Sequence, residues 1–191
     1  MNNPLFLLIG KSASGKTTIA NMLEQQLCYK QVYSYTTRKP RYHGEIGHVF
    51  VSNDEFDALG EMVAYTEYNG NRYGTTAEQL DQCQIYVVDV PGVATLLKRY
   101  NTYRPIVTIY FDTTTYTRIN RMLERGDGDM MIISRLLQDE KDDWCKQLEY
   151  LINKYSMDCG RNVYLHKINA NGDLQQVLDL VRYYIEKHVE G

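Results

Sequence analysis

Four apolar runs of strand length recur along the chain, at Leu5–Ile9, Ile85–Val90, Ile106–Phe111 and Val163–Ile168. Continuous apolar runs bounded by turn or polar residues suit strands buried on both faces of a parallel sheet. Between them the apolar spacing changes to the helical period. Thr17–Leu27 carries Ile19, Met22, Leu23 and Leu27 on one stripe, and Tyr116–Leu123 continues toward Arg125. Ile132–Leu151 reads as one long helix through Ile133, Leu136, Leu137, Trp144, Leu148 and Leu151, and Leu174–Ile185 closes the chain. Strands alternating with helices predict an α/β fold with a mostly parallel sheet. Residues 34–82 break the alternation. They are polar, hold Gly44, Gly47 and Gly60, and show a short helix signal at 52–56, so they read as an inserted subdomain. A second polar island, 124–129, sets Gly126 and Gly128 beside charges and reads as a lid extending to about 135. The expected organisation is a single domain, 1–191, with its core in 1–33 and 83–191.

Composition adds few constraints. A chain of 191 residues with 43% hydrophobic and 24% charged residues is long enough for one packed domain and unlike a disordered or fibrous chain. A net charge of −3 gives no sign of a nucleic-acid-binding surface or a polybasic membrane anchor. Cys28, Cys83, Cys145 and Cys159 form no C-x-x-C pair and read as free thiols of a reducing compartment. Leu5–Ile9 is too short to span a bilayer and lacks the basic flank of a signal peptide. Together these predict a cytoplasmic protein without nucleic-acid or membrane partners. The unusual number is 17 Tyr against 4 Phe and 1 Trp. Either Tyr replaces Phe in the core, or hydroxyl-bearing rings line a pocket. Tyr35, Tyr42, Tyr65, Tyr68 and Tyr73 fall in 34–82. Tyr86 and Tyr110 fall in apolar runs, and Tyr150, Tyr155, Tyr183 and Tyr184 lie on or near C-terminal helices. By this distribution most of the surplus is Tyr in place of Phe.

The first chemical motif is Gly10-Lys11-Ser12-Ala13-Ser14-Gly15-Lys16-Thr17, which fits G-x-x-x-x-G-K-[ST] and follows a strand run and opens a helix pattern. Glycines let successive N–H groups form a nest for phosphate oxygens, and the helix N-terminus adds its positive end. Gly10, Ser12, Ser14, Gly15, Lys16, Thr17 and Thr18 are therefore the expected ATP phosphate-binding set. Lys16 reaches the β- and γ-phosphates and Thr17 offers its hydroxyl to Mg²⁺. The motif implies ATP and Mg²⁺ and leaves the acceptor of the phosphoryl group open.

The second half of the site rests on a series of segments. Ser34-Tyr35-Thr36-Thr37-Arg38-Lys39-Pro40-Arg41 leads to Gly44-Glu45. Phe50-Val51-Ser52 follows with Glu55-Phe56, then Gly70-Asn71-Arg72-Tyr73-Gly74-Thr75. Next come Asp89-Val90-Pro91-Gly92-Val93, Arg121 with Arg125-Gly126, and Arg135-Leu136. Two arginines three apart can grip one phosphate through bidentate bonds. In order and spacing the set resembles the guanylate kinase family, whose fold is a P-loop NTPase-type mostly parallel sheet with flanking helices, an inserted acceptor-binding subdomain and a lid.

The resemblance implies roles at matching positions. Ser34 would contact the acceptor base or its surroundings, Thr75 would touch the base edge, and Asp89 would sit near the base and the transfer site. Arg38, Arg41 and Tyr73 would hold the acceptor phosphate. Arg121, Arg125 and Arg135 would act with Lys16 as the catalytic cations over the donor phosphates. Three positions depart from the family. His48 stands where a second phosphate-binding Tyr is usual and could still donate to a phosphate. Ala64 stands where a Glu reads the guanine edge, with Glu61 or Glu67 as conceivable substitutes. Arg72 replaces an aromatic residue and would shift the acceptor pocket toward positive charge. The implied activity is phosphoryl transfer from ATP to GMP or dGMP, with small-molecule nucleotides as partners. A ribose 1,5-bisphosphate phosphokinase-like relative and a non-catalytic binding module are the alternatives, the latter disfavoured by the intact Lys16, Thr17 and lid arginines.

Overall fold

The computed structural model describes residues 3–41 and 43–189; Tyr42 lies outside them, as does the side chain of Cys159. Strand β1 (Leu5–Ile9) is buried at every position because it lies inside the main sheet. That sheet has the order β6-β1-β7-β8, with β6 at Ile85–Val87, β7 at Ile106–Asp112 and β8 at Val163–Asn169, and all its pairings are parallel. Its two faces carry separate apolar clusters, as period-two alternation requires. Leu5, Leu7 and Ile9 join Val93, Leu96 and Leu97 of helix α4 (Val90–Arg99) and Leu148 and Ile152 of α7 (Trp144–Cys159). Phe6 and Leu8 join Ile19 and Leu23 of α1 (Lys16–Leu27) and Val177, Leu178, Val181 and Ile185 of α8 (Leu174–Val189).

Two expectations need correction. The run Ile85–Val90 is not one strand: β6 ends at Val87, and Asp89 caps α4 by accepting the Gly92 N–H at 2.8 Å. Asp89 as N-cap with Pro91 in the first turn is a helix start that the apolar run concealed. The helix expected over 132–151 is two helices, α6 (Asp129–Asp139) and α7. Asp143 caps α7 through the Lys146 N–H at 3.2 Å, while Asp139 and Glu140 turn to bind Arg118. Polar pairing thus breaks a stripe whose apolar period continues across the gap.

Residues 34–82 form a second, smaller sheet in the order β3-β2-β5-β4, from β2 (Ser34–Thr36), β3 (His48–Phe50), β4 (Ala64–Tyr68) and β5 (Asn71–Thr75). Asn69 (φ 50°) and Gly70 (φ 71°) make the two-residue turn between β4 and β5, the left-handed geometry that Asn-Gly supplies at low cost. Ser52–Glu55 and Thr76–Gln79 are capping boxes of the short helices α2 (Asn53–Ala58) and α3 (Ala77–Gln82). Helix α4 links the two sheets: Arg99 donates to the Met62 carbonyl at 3.0 Å and Thr95 to that of Tyr65 at 3.3 Å. Helix α5 (Thr115–Glu124) and α6 form a hairpin beside the loop after β1. Among the described residues no helix is long and apolar enough to cross a membrane.

Candidate active site

The loop from Gly10 to Gly15 leaves the C-terminal end of β1, where open parallel sheets bind ligands. A Cβ on Gly10 would meet Ser14 Oγ at 2.8 Å and the Phe111 carbonyl at 2.9 Å, so the close approach of the loop to β7 excludes a side chain. Gly15, at φ 98°, precedes α1 without a side-chain cap, and α1 has no acid in its first turn. Its leading N–H groups are thus left without a side-chain acceptor, the arrangement that favours an anion. Lys16 Nζ donates to the carbonyls of Gly10 (2.5 Å) and Lys11 (2.9 Å) and to Ser14 Oγ (3.2 Å). Burial pulls its ammonium down to about 8, opposed by Asp139 and Asp89 and reinforced by Arg118.

Two clefts meet at Lys16. The first, about 520 Å³, is lined by Ala13–Thr18, Arg121, Glu124, Arg125 and residues 172–174. The second, about 260 Å³, brings Gly10, Ser12 and Lys16 together with Ser34, Arg41, His48, Tyr73 and Asp89. Arg38, Thr75 and Arg135 line neither cleft.

Most of the expected phosphate-binding cations are held by partners within the chain. Arg38 makes a bidentate pair with Glu45 at 2.8 and 3.1 Å, and its Nε is buried with no partner. The Arg41 N–H also donates to Glu45 (2.6 Å). Burial opposes ionisation of that carboxyl, yet the bonds from Arg38 and Arg41 hold it below the usual range. Arg125 and Arg135 share Asp127, which Arg125 binds through two nitrogens and Arg135 through one at 3.0 Å. Arg121 instead spans the phosphate loop and the turn after β8, donating to the carbonyls of Ser14 (3.1 Å) and Ala170 (2.9 Å).

In the second cleft, His48 Nδ1 lies 3.0 Å from Ser34 Oγ, and its ring packs edge-on against Tyr73. Burial, then the charge of Arg38, lowers its imidazole to about 4, so the ring is neutral at pH 7. If the Ser34 hydroxyl donates to Nδ1, the remaining ring proton sits on Nε2 as a donor. Burial raises the carboxyl of Asp89. Thr75 is fully buried, and its hydroxyl donates to that of Tyr86 at 2.8 Å, so any influence on the cleft passes through Tyr86.

Several readings change. Arg72 does not line the cleft; it pairs with Asp57 at 2.7 Å and lies over the Phe56 ring, so its charge is matched by Asp57 rather than left facing the pocket. Ala64 is buried in the core, Glu67 accepts from Tyr65 at 2.5 Å, and neither Glu61 nor Glu67 lines the cleft. The carboxylates lining it are those of Asp89 and Asp139. Tyr65, Tyr68 and Tyr86 line it with Tyr73, so more of the tyrosine surplus belongs to a hydroxyl-lined pocket than position along the chain suggested. Asp139, Trp144 and the buried Arg118 escaped sequence reasoning because their positions match no motif and their meeting depends on how α5, α6 and α7 pack.

As to a metal, no group of three or more His, Cys, Asp or Glu side chains poised for one exists among the described residues. The hydroxyl of Thr17, exposed in the first turn of α1, fits a Mg²⁺ held mainly by phosphate oxygens and water.

A family model described as Guanylate kinase matches residues 2–158. A guanylate kinase of Geobacter metallireducens is 31% identical over 147 residues, 69% of this chain and 70% of the relative. One from Chlamydia muridarum is 30% identical, with 65% of each chain covered, so the alignment spans just under two thirds of that relative. One from Streptomyces kasugaensis is 28% identical, covering 88% and 89%. The crystal structure of guanylate kinase from Anaplasma phagocytophilum superposes on all of this chain and 89% of that one, with a TM-score of 0.55 and 17% identity, which supports the fold.

Proposed function

The chain belongs to the guanylate kinase family, and we propose that it transfers the γ-phosphoryl group of ATP to GMP or dGMP, giving ADP and GDP or dGDP. The observation that carries this reading is that the two clefts share Lys16. A donor in the larger cleft and an acceptor in the smaller one would present their reacting oxygens to the same ammonium. Phosphoryl transfer requires alignment and charge neutralisation more than a covalent nucleophile, and the side chains around Lys16 suit that task.

On the donor side, the N–H groups of residues 13–18 and Lys16 hold the phosphates. Thr17 would hold Mg²⁺ together with the ATP phosphates, and the ion would supply further neutralisation of charge. Arg121 already touches the loop, while Arg125 and Arg135 exchange Asp127 for phosphate oxygens when the hairpin closes as a lid. On the acceptor side, Arg41, Tyr73 and His48 Nε2 take the GMP phosphate, and Arg38 joins them on leaving Glu45. With alanine at position 64, the guanine N–H donors fall to Asp89 and Ser34. A cytoplasmic location follows for an enzyme of soluble nucleotides.

The test is ADP release from ATP and Mg²⁺ against GMP, dGMP, AMP, CMP, UMP and ribose 1,5-bisphosphate. The expected result is the highest kcat/KM with GMP or dGMP. A preference for ribose 1,5-bisphosphate would reject guanine recognition while keeping the kinase chemistry. Absence of transfer to every acceptor by the folded protein would reject the kinase reading.

A further inference from the structure

Ser12 lies inside the phosphate loop, yet both its backbone N–H and its backbone carbonyl are held from outside it. Its N–H donates to Asp139 Oδ2 at 2.8 Å, and its carbonyl accepts from Arg118 Nε at 2.9 Å. Arg118 and Asp139 in turn pair at 2.6 Å, with 1% and 2% of their side chains exposed. The pair extends to Glu140, which accepts from Arg118 at 3.1 Å and pairs with Lys11, the loop residue before Ser12, at 3.2 Å. Arg118 belongs to α5 and Asp139 ends α6, the hairpin that also carries Arg121, Arg125 and Arg135.

An ion pair this deeply buried is poor evidence of net stabilisation, because desolvation offsets most of the attraction. What this one does uniquely is geometric. A carboxylate and a guanidinium hold the peptide groups on the two sides of Ser12, as a neighbouring strand would, and so fix the backbone of that residue. The Ser12 N–H is also committed to a carboxylate rather than left for a phosphate. We infer that Arg118 and Asp139 are positioning residues that hold the phosphate loop in its nucleotide-binding shape and couple it to the α5–α6 hairpin.

The inference rests on the phosphate-loop part of the proposed function and is independent of the acceptor. The experiment compares the full-length chain with the double variant Arg118→Met/Asp139→Leu, which removes both buried charges at similar volume, a replacement that ion pairs of this kind tolerate in stability. Titration with ADP and Mg²⁺ is expected to give about tenfold weaker binding for a variant that still unfolds cooperatively, since small displacements of a binding loop have effects of that order. The KM for ATP should rise in step with the loss of ADP affinity. Unchanged ADP affinity and KM for ATP would overturn the inference and leave a structural pair only. Should the double variant not fold, Arg118→Lys keeps the charge beside Asp139 while losing the bond to Ser12, and the same comparison decides. Wild-type chain that binds ADP but phosphorylates no acceptor would defeat the proposed reaction alone; failure to bind ADP would defeat both.

Discussion

The cleft proposed for the donor is built mainly on one contiguous run, Ala13–Thr18, with Arg121, Arg125 and residues 172–174 beside it, whereas the cleft proposed for the acceptor draws on β2, β3, β4, β5, β6 and the start of α4. The donor half works largely through backbone: N–H groups, a helix end and one lysine. The acceptor half works through side chains whose neighbours lie more than ten residues away, such as Ser34 with His48 and Thr75 with Tyr86. Backbone recognition tolerates variation at the intervening positions, because every non-proline residue carries an N–H. Side-chain recognition does not, which is why the departures from the family at His48 and Ala64 fall in the acceptor half. The cations differ in the same way. Arg121 is fastened to the phosphate loop, while Arg38 is paired with a carboxylate that, on the proposed reading, an acceptor phosphate would displace.

The sharpest break in this contrast is Lys16→Ala, which removes the one side chain the halves share. Turnover with any acceptor should fall by about 10²–10³-fold, the usual effect of deleting a group aimed at developing charge. Far-ultraviolet circular dichroism should stay unchanged; retained turnover would remove Lys16 from the chemistry. Arg38→Ala tests the acceptor half alone. It should lower acceptor kcat/KM about ten- to a hundredfold, as expected for one charge-assisted hydrogen-bond pair, and leave the KM for ATP nearly constant. It also leaves Glu45 without its main partner, so a drop in Tm should accompany the loss.

The smallest effect concerns His48. Its folded value near 4 lies below the ordinary 6.5, so between those limits the unfolded chain binds a proton that the folded chain does not. Its contribution is complete above pH 6.5 and is lost as pH falls toward 4, by about 1–3 kcal/mol. Urea unfolding of His48→Asn should show a shallower loss of stability over that window than the parent. His166, lowered to about 4 by burial and by His188, and His188, lowered by burial, contribute to the slope that remains. Equal slopes would place His48 in a more solvated setting.

The same contrast separates what could be read from the chain. The strands β1 and β7, helices α1 and α8 and the loop between β1 and α1 were legible, because each depends on short-range periodicity and on a motif with its context. The break at 140–143 was not legible, because Asp139 and Glu140 face an arginine more than twenty residues earlier rather than any local signal. Nor was the site of Arg72, whose meaning changes once Asp57 and Phe56 stand beside it.

By itself the sequence determined a phosphate-binding loop between a buried strand and a helix, inside an alternating α/β chain, since those features are local in both pattern and cause. Tertiary packing decided which tyrosines face the second cleft, which carboxylates line it, and that the phosphate loop is clamped by Arg118 and Asp139. These are contacts between residues far apart in the chain. Their energies depend on burial and partner geometry, which exist only after the sheet and helices have come together.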